Sequence, residues 1–301
     1  MSVAPRLPNF FIAGAPNTGT TSLYFYMRQH PQVFMSPVKE PTFFGAAEFL
    51  AERQAAGHRP ARRGFLKRAP TVLSWEDYVQ LFRGAREEIA VGEASPRYLL
   101  LPAAPRAIRA RVPHARLVFI LRDPTEWLLT RHRRMFWREP AGSFRSRFLA
   151  AMDPANIWAR SVAVGRYATH LQRFFDVFPR EQLQIHLYED FRADGRTVVG
   201  SILGFLGIDP AYPIDMSHRH NQNGIARVPV LEAFRQWVPG GIAAAQWLPL
   251  AVRRMLRRFY FRHRPDAPLV PADRALVIDY YRDEILRTGD LIGRDLSAWL
   301  R

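Results

Sequence analysis

The chain of 301 residues contains no cysteine, which removes disulfides, thiolate metal sites and a cysteine nucleophile from consideration. It is also nearly without lysine. Of its 43 basic residues only Lys39 and Lys67 are lysines, which leaves 41 arginines against 27 acidic groups and a formal charge of +16. We read the skew as compositional, and it makes each lysine a residue to account for. The arginines run along the whole chain instead of gathering in a tail, the pattern of a solvated basic surface more than of a nucleic-acid track. An acidic small ligand or acidic polymer also fits it. Nowhere do eighteen apolar residues follow one another, so nothing reads as a membrane span, although peripheral membrane contact stays open. The N-terminal stretch MSVAPRLPNFFIAGAP has no charged region leading into a long apolar core, so the expected location is cytoplasmic. There is no internal repeat and no low-complexity tract. With 48% hydrophobic and 23% charged residues, the composition is that of a globular protein with a sizeable core, expected as one domain over 1–301.

What is present alternates between short apolar runs and helical patterns. Asn9 to Gly14 (NFFIAG) reads as a buried strand and Thr20 to Gln29 as a helix that begins directly after a glycine turn. A second strand is expected around Val33 to Met35, and a third at Ile89 to Gly92, ending at Glu93. Arg116 to Leu121 (RLVFIL) is the clearest strand, apolar through its centre as a parallel strand covered on both faces should be. Asp123 is placed to cap the following helix, with Pro124 at its first position. Ser74 is expected to cap a helix running to Phe82, and further helices are expected at Pro105 to Val112, Gly165 to Phe178, Asp194 to Leu206 and Ala272 to Leu286. One more strand is expected at Leu183 to Leu187. Alternation of this kind means a parallel sheet with right-handed crossovers. Two stretches break it: about 45–70, expected as a mobile surface insertion, and about 216–271, expected as a lid or substrate-facing excursion with Trp237, Trp247 and clustered arginines.

Two turns carry candidate chemistry. GAPNTGTTS, Gly14 to Ser22, nearly spells a nucleotide-binding P-loop, but Thr20 stands where the loop lysine belongs. Backbone N–H groups and hydroxyls converging on a helix N-terminus favour an anion. The same residues also suit a tight strand-to-helix turn capped by threonines. Without the lysine, a triphosphate with Mg²⁺ is poorly supported and a single phosphate suits the loop better. Arg122 stands at the carboxyl end of a strand, where open α/β sheets bind ligands, and Thr130 follows two turns into the next helix. Taken together, the two turns suggest two phosphate sites on one ligand.

The blocks GAPNTGTTSLYFYMRQHPQVFMSPVKEPTFF, VGEASPRYLL and RLVFILRDPTEWLLT, in this order, resemble the signature of the sulfotransferases that use 3′-phosphoadenosine 5′-phosphosulfate (PAPS). The later FPREQLQIHLYEDFRADG, ILGFLGI and LIGRDLSAWL resemble that family's second half. The resemblance implies a P-loop-like three-layer α/β fold, a central parallel sheet flanked by helices. It assigns Thr18, Gly19, Thr20, Thr21 and Ser22 to the 5′-phosphosulfate, and Arg122 and Thr130 to the 3′-phosphate. It further implies a general base at Glu93, a contact to the nucleotide from the 216–271 excursion at Arg227, and no metal. One departure stands out: the family's loop carries lysine or arginine where this chain has Asn17. A neutral amide stabilises developing charge less than an ammonium, and losing one such donor costs roughly 10²–10³ in rate. Lys39 is the expected substitute. His30 and His170 fall in helical patterns and read as structural, while His218 and His220 lie in the excursion. The activity implied is sulfuryl transfer from PAPS, leaving adenosine 3′,5′-bisphosphate (PAP), to a hydroxyl or amine of a carbohydrate or other small acceptor, with no nucleic-acid partner. The alternatives are a silent PAPS-binding protein that lost the loop lysine and, less favoured, a P-loop kinase.

Overall fold

The structure, a computed structural model, describes residues 6–55, 72–136, 143–156, 158–218, 225–226, 261–262 and 270–301. Its centre is a five-stranded sheet made of β1 (Phe10–Gly14), β2 (Val33–Met35), β3 (Ala90–Ala94), β4 (Arg116–Leu121) and β5 (Leu183–Leu187). The spatial order is β2-β3-β1-β4-β5, and every neighbouring pair is parallel.

Alternation along the strands builds two cores. Phe11 and Ala13 of β1 join Leu117, Phe119 and Leu121 of β4 in one apolar cluster, while Phe10, Ile12, Val118 and Ile120 point into another. Side chains of successive strand residues face opposite ways, so a strand apolar at every position demands cover on both sides. Helices α1 (Thr20–Met27) and α10 (Gly195–Phe205) cover one face. The other lies under α3 (Trp75–Gln80), α4 (Ala104–Arg111), α5 (Pro124–Met135), α8 (Tyr167–Phe175) and the long C-terminal α11 (Pro271–Ile292). Full burial of Phe10, Phe11 and Phe119 contributes roughly 1.5–3 kcal/mol each. Phe10 owes its seat to Gly92, since a Cβ there would come within 2.2 Å of the Phe10 ring.

The capping residues behave as their chemistry dictates. Ser74 accepts from the Asp77 amide at 3.0 Å, Asp123 from Thr125 at 2.8 Å and Glu126 at 3.3 Å, and Asp194 from Thr197 at 3.1 Å. Three expectations need correction. Residues Ala46–Ala55 form a helix, α2, inside the stretch expected as an irregular insertion; residues 56–70 of that stretch lie outside the described residues. The helix expected from Gly165 to Phe178 is the shorter α8, Tyr167–Phe175, and the C-terminal helix runs six residues past Leu286 to Ile292, where Gly293 turns left-handed at φ 67. Three short helices, α6 (Ser143–Ala150), α7 (Ala159–Ala163) and α9 (Tyr188–Ala193), carried no expectation. A smaller second unit is represented among the described residues by the antiparallel pair β6 (Ile225–Ala226) and β7 (Phe261–Arg262). The remainder of the excursion between 219 and 269, with Arg227, His220, Trp237 and Trp247, lies outside the described residues.

Candidate active site

Three adjacent strands, β3, β1 and β4, send their carboxyl ends to one edge of the sheet, and each end carries a candidate residue. After β1 the chain enters α1 on one face, and after β4 it enters α5 on the other. Connections that diverge from neighbouring strands open a crevice between them, the usual ligand position in such sheets.

The β1–α1 turn is held from all sides. Ala15 donates its amide to Ile120 of β4 at 2.8 Å, the Thr18 hydroxyl donates to the Ala15 carbonyl at 2.7 Å, and the Trp127 indole of α5 donates to the Pro16 carbonyl at 2.6 Å. Thr18, Thr20 and Ser22 are buried. Gly19 caps α1 in the left-handed region at φ 88, where a Cβ would meet the Phe191 ring at 2.9 Å. It has no side chain to cap the helix, and the positive end of the α1 dipole lies at this turn. That is a fit for a phosphate. Asn17 is left-handed too, at φ 61, a conformation asparagine tolerates better than lysine does.

The β4–α5 turn carries the second candidate. Arg122 is half-buried and its guanidinium lies 4.9 Å from the centre of the Tyr188 ring. Beside it, the Asp123 amide donates to Glu189 at 3.2 Å, and Arg274 of α11 pairs with both Asp123 at 3.5 Å and Glu126 at 2.5 Å. Burial raises the Asp123 carboxyl to about 6 against the pull of the capping amides and Arg274, and burial likewise raises Glu189. Thr130 is half-buried on α5. Tyr188, Phe191 and Trp127 went unnoticed in the sequence. The signal that finds the first two is position: they follow the carboxyl end of β5, the next strand past β4.

At the third strand end Glu93, the expected base, is buried, 0% exposed. The hydroxyls of Tyr98 at 2.6 Å and Tyr78 at 3.1 Å donate to its Oε1, and that of Ser95 donates to Oε2 at 2.6 Å. Burial raises it to about 7, opposed by those three hydroxyls and aided by the charge of Glu40. The accessible carboxylate at this corner is Glu40. It sits on the connection after β2, its amide bonded to the Ala94 carbonyl at 2.9 Å, its side chain 48% exposed and paired with Lys39 at 2.5 Å. Glu40 and Thr42 both take left-handed backbone, at φ 62 and φ 54. Such a conformation costs roughly 1–2 kcal/mol per non-glycine residue. Lys39 lies on the connection after β2 with a carboxylate partner that the sequence reading passed over.

The sequence model of the Sulfotransferase family matches residues 8–212, more than half of the chain. The chain belongs to the sulfotransferase family. It is 25% identical over 308 residues to mouse bifunctional heparan sulfate N-deacetylase/N-sulfotransferase 4, covering 98% of this chain, and 26% identical over 265 residues to human carbohydrate sulfotransferase 15, covering 68%. The chain spans 31% and 44% of the lengths of those two relatives. A solved sulfotransferase from Alicyclobacillus acidocaldarius superimposes with a TM-score of 0.69 at 27% identity, over 98% of this chain and 100% of that one.

Proposed function

We propose that this sulfotransferase takes its sulfuryl group from PAPS and delivers it to a hydroxyl or amine of a carbohydrate. The observation that carries the reading is the contiguity of the three strand ends. A nucleotide with two separated phosphates is matched by two anion turns on neighbouring strands β1 and β4, and a carboxylate–lysine pair stands beside β3, the other neighbour of β1. Thr18 to Ser22 would hold the 5′-phosphosulfate, and Arg122 with Thr130 the 3′-phosphate. When bound, PAPS supplies an activated sulfuryl group whose S–O bond to phosphate is the one that breaks.

The chain's own residues do the rest. Glu40 is the proposed base, in place of buried Glu93: it takes the proton of the acceptor O–H or N–H as that atom attacks sulfur, and the electron pair of the broken bond leaves on the 5′-phosphate of PAP. Lys39 would stabilise the charge on that leaving oxygen, the task for which Asn17 has no charge. Its present pairing with Glu40 is exposed and worth no more than about 1 kcal/mol, so it exchanges readily for a ligand contact. The relatives' names support the acceptor class, one naming heparan sulfate and the other carbohydrate. The test is PAPS carrying a labelled sulfuryl group, offered with de-N-sulfated heparan oligosaccharide, neutral glycans and a phenol. Label on a glycan is expected; label only on the phenol, or none with any acceptor, rejects the reading.

A further inference from the structure

Glu93 is the most deeply buried carboxylate described at the active edge, yet it is fully provided with hydrogen bonds. What its partners do with their other valences gives it a role. The Ser95 hydroxyl, while donating to Glu93, accepts the Thr42 amide at 3.0 Å. The Tyr98 hydroxyl, while donating to Glu93, accepts the Phe44 amide at 3.4 Å. Tyr78, the third donor, stacks on Phe43 with ring centres 4.6 Å apart and packs edge-on against Phe44 at 5.2 Å. Thr42 in turn donates its hydroxyl to the Glu40 carbonyl at 3.1 Å.

We infer that Glu93 is a positioning residue: through Ser95 and Tyr98 it fixes the main chain at Thr42 and Phe44, and so holds the left-handed turn that presents Lys39 and Glu40. The device is polarity. Above pH about 7, where Glu93 is ionised, its carboxylate only accepts, so each hydroxyl must turn its proton inward and leave its lone pairs outward for a loop amide. Bonds chained in one sense also strengthen one another. A glutamine of the same shape would push an N–H₂ donor into the cage, reversing one hydroxyl and costing a loop amide its acceptor. A β-branched residue at φ 54, such as Thr42, has little intrinsic reason to stay there. Strain of this sort persists only where surrounding structure over-determines it, and the cage is what surrounds it.

The inference rests on the assignment of the Lys39–Glu40 turn to the acceptor, and its test separates the two. Amide hydrogen exchange at Thr42 and Phe44, PAP affinity, and PAP release from PAPS with de-N-sulfated heparan oligosaccharide are measured on the full chain and on E93Q, S95A, S95T and Y98F. S95A and Y98F each remove one oxygen and guard against loss of folding in E93Q. Exchange at Thr42 should quicken at least tenfold in S95A and E93Q, and at Phe44 in Y98F and E93Q, with turnover falling about tenfold or more and PAP affinity within twofold of the parent. S95T, which keeps the hydroxyl, should restore both exchange protection and turnover. Unchanged exchange in all the deletions overturns the inference. So does looser exchange with unchanged turnover, or PAP affinity falling in step with turnover. If the parent chain releases no PAP from PAPS, the functional reading fails, and exchange alone decides whether Glu93 holds the turn.

Discussion

The two sides of the proposed site, one for the nucleotide and one for the acceptor, are built on opposite plans. On the nucleotide side, the ends of β1 and β4 are braced by the main chain and by Trp127, Glu189 and Arg274, and they offer backbone N–H groups and one arginine resting on Tyr188. On the acceptor side, the segment after β2 carries two left-handed non-glycine residues and an exposed ion pair, and it is held from beneath by a buried carboxylate. The first plan suits tight, reversible binding of a fixed anion pattern. The second suits groups that must change partners during a reaction, since an exposed pair is easily exchanged while its main chain stays put. If this division is right, damage on one side should alter affinity, and damage on the other should alter rate.

The largest expected effect is on the acceptor side. Glu40→Gln should lower turnover by roughly 10²–10⁴, the range for loss of a positioned base, while PAP affinity stays within twofold; single-turnover sulfation and calorimetry read the two. A fall in PAP affinity equal to the fall in rate would erase the division. Next comes Lys39→Ala, expected to lower single-turnover transfer by roughly 10²–10³. Asn17→Lys should help little, because a lysine at φ 61 carries left-handed strain of roughly 1–2 kcal/mol and its charge would oppose Lys39. A tenfold gain from Asn17→Lys, with Lys39→Ala mild, would move the cation back to the β1–α1 turn.

The smallest effect is thermodynamic. Burial holds Glu93 near 7 instead of 4.5, with Tyr78, Ser95, Tyr98 and Glu40 facing it. A carboxyl raised on folding binds its proton more tightly in the native state, so the folded protein loses stability as pH climbs from about 4.5 to about 7. Over that window the loss is roughly 3 kcal/mol, at 1.36 kcal/mol per unit. Glu93→Gln has no proton to lose, so its stability relative to the parent should rise between pH 5 and pH 8 by up to that amount. Chemical unfolding at the two pH values reads it, and parallel curves would show that Glu93 does not titrate there.

Much of this was legible in the chain, for identifiable reasons. RLVFIL reads as a doubly covered strand because every central residue is apolar, and Asp123 with Pro124 announces a helix start in any context. GAPNTGTTS shows its turn through Gly19, whose left-handed φ only glycine adopts cheaply. Glu93 was found as a strand end but not as a buried one. Its register opposite Phe11 sends it to the face that Tyr78 and Tyr98 close, and no local pattern tells which distant tyrosines will do so. Helix α2 was missed because AAEFLAERQA lies in a run of alanine and charge with prolines and glycines further on, where composition spoke louder than a weak period. Glu40 was overlooked because its exposure is set by a strained turn, and strain has no signature in sequence.

The most direct test of the central claim, that two anion turns on neighbouring strands read the two phosphates of one nucleotide, is a calorimetric titration of the parent chain and Arg122→Ala with PAP and with adenosine 5′-phosphate. The account predicts that the parent binds PAP at least tenfold more tightly, that Arg122→Ala loses roughly 2–5 kcal/mol of PAP affinity, and that binding of adenosine 5′-phosphate barely changes. Equal loss for both nucleotides, or a parent chain that does not distinguish them, would contradict it.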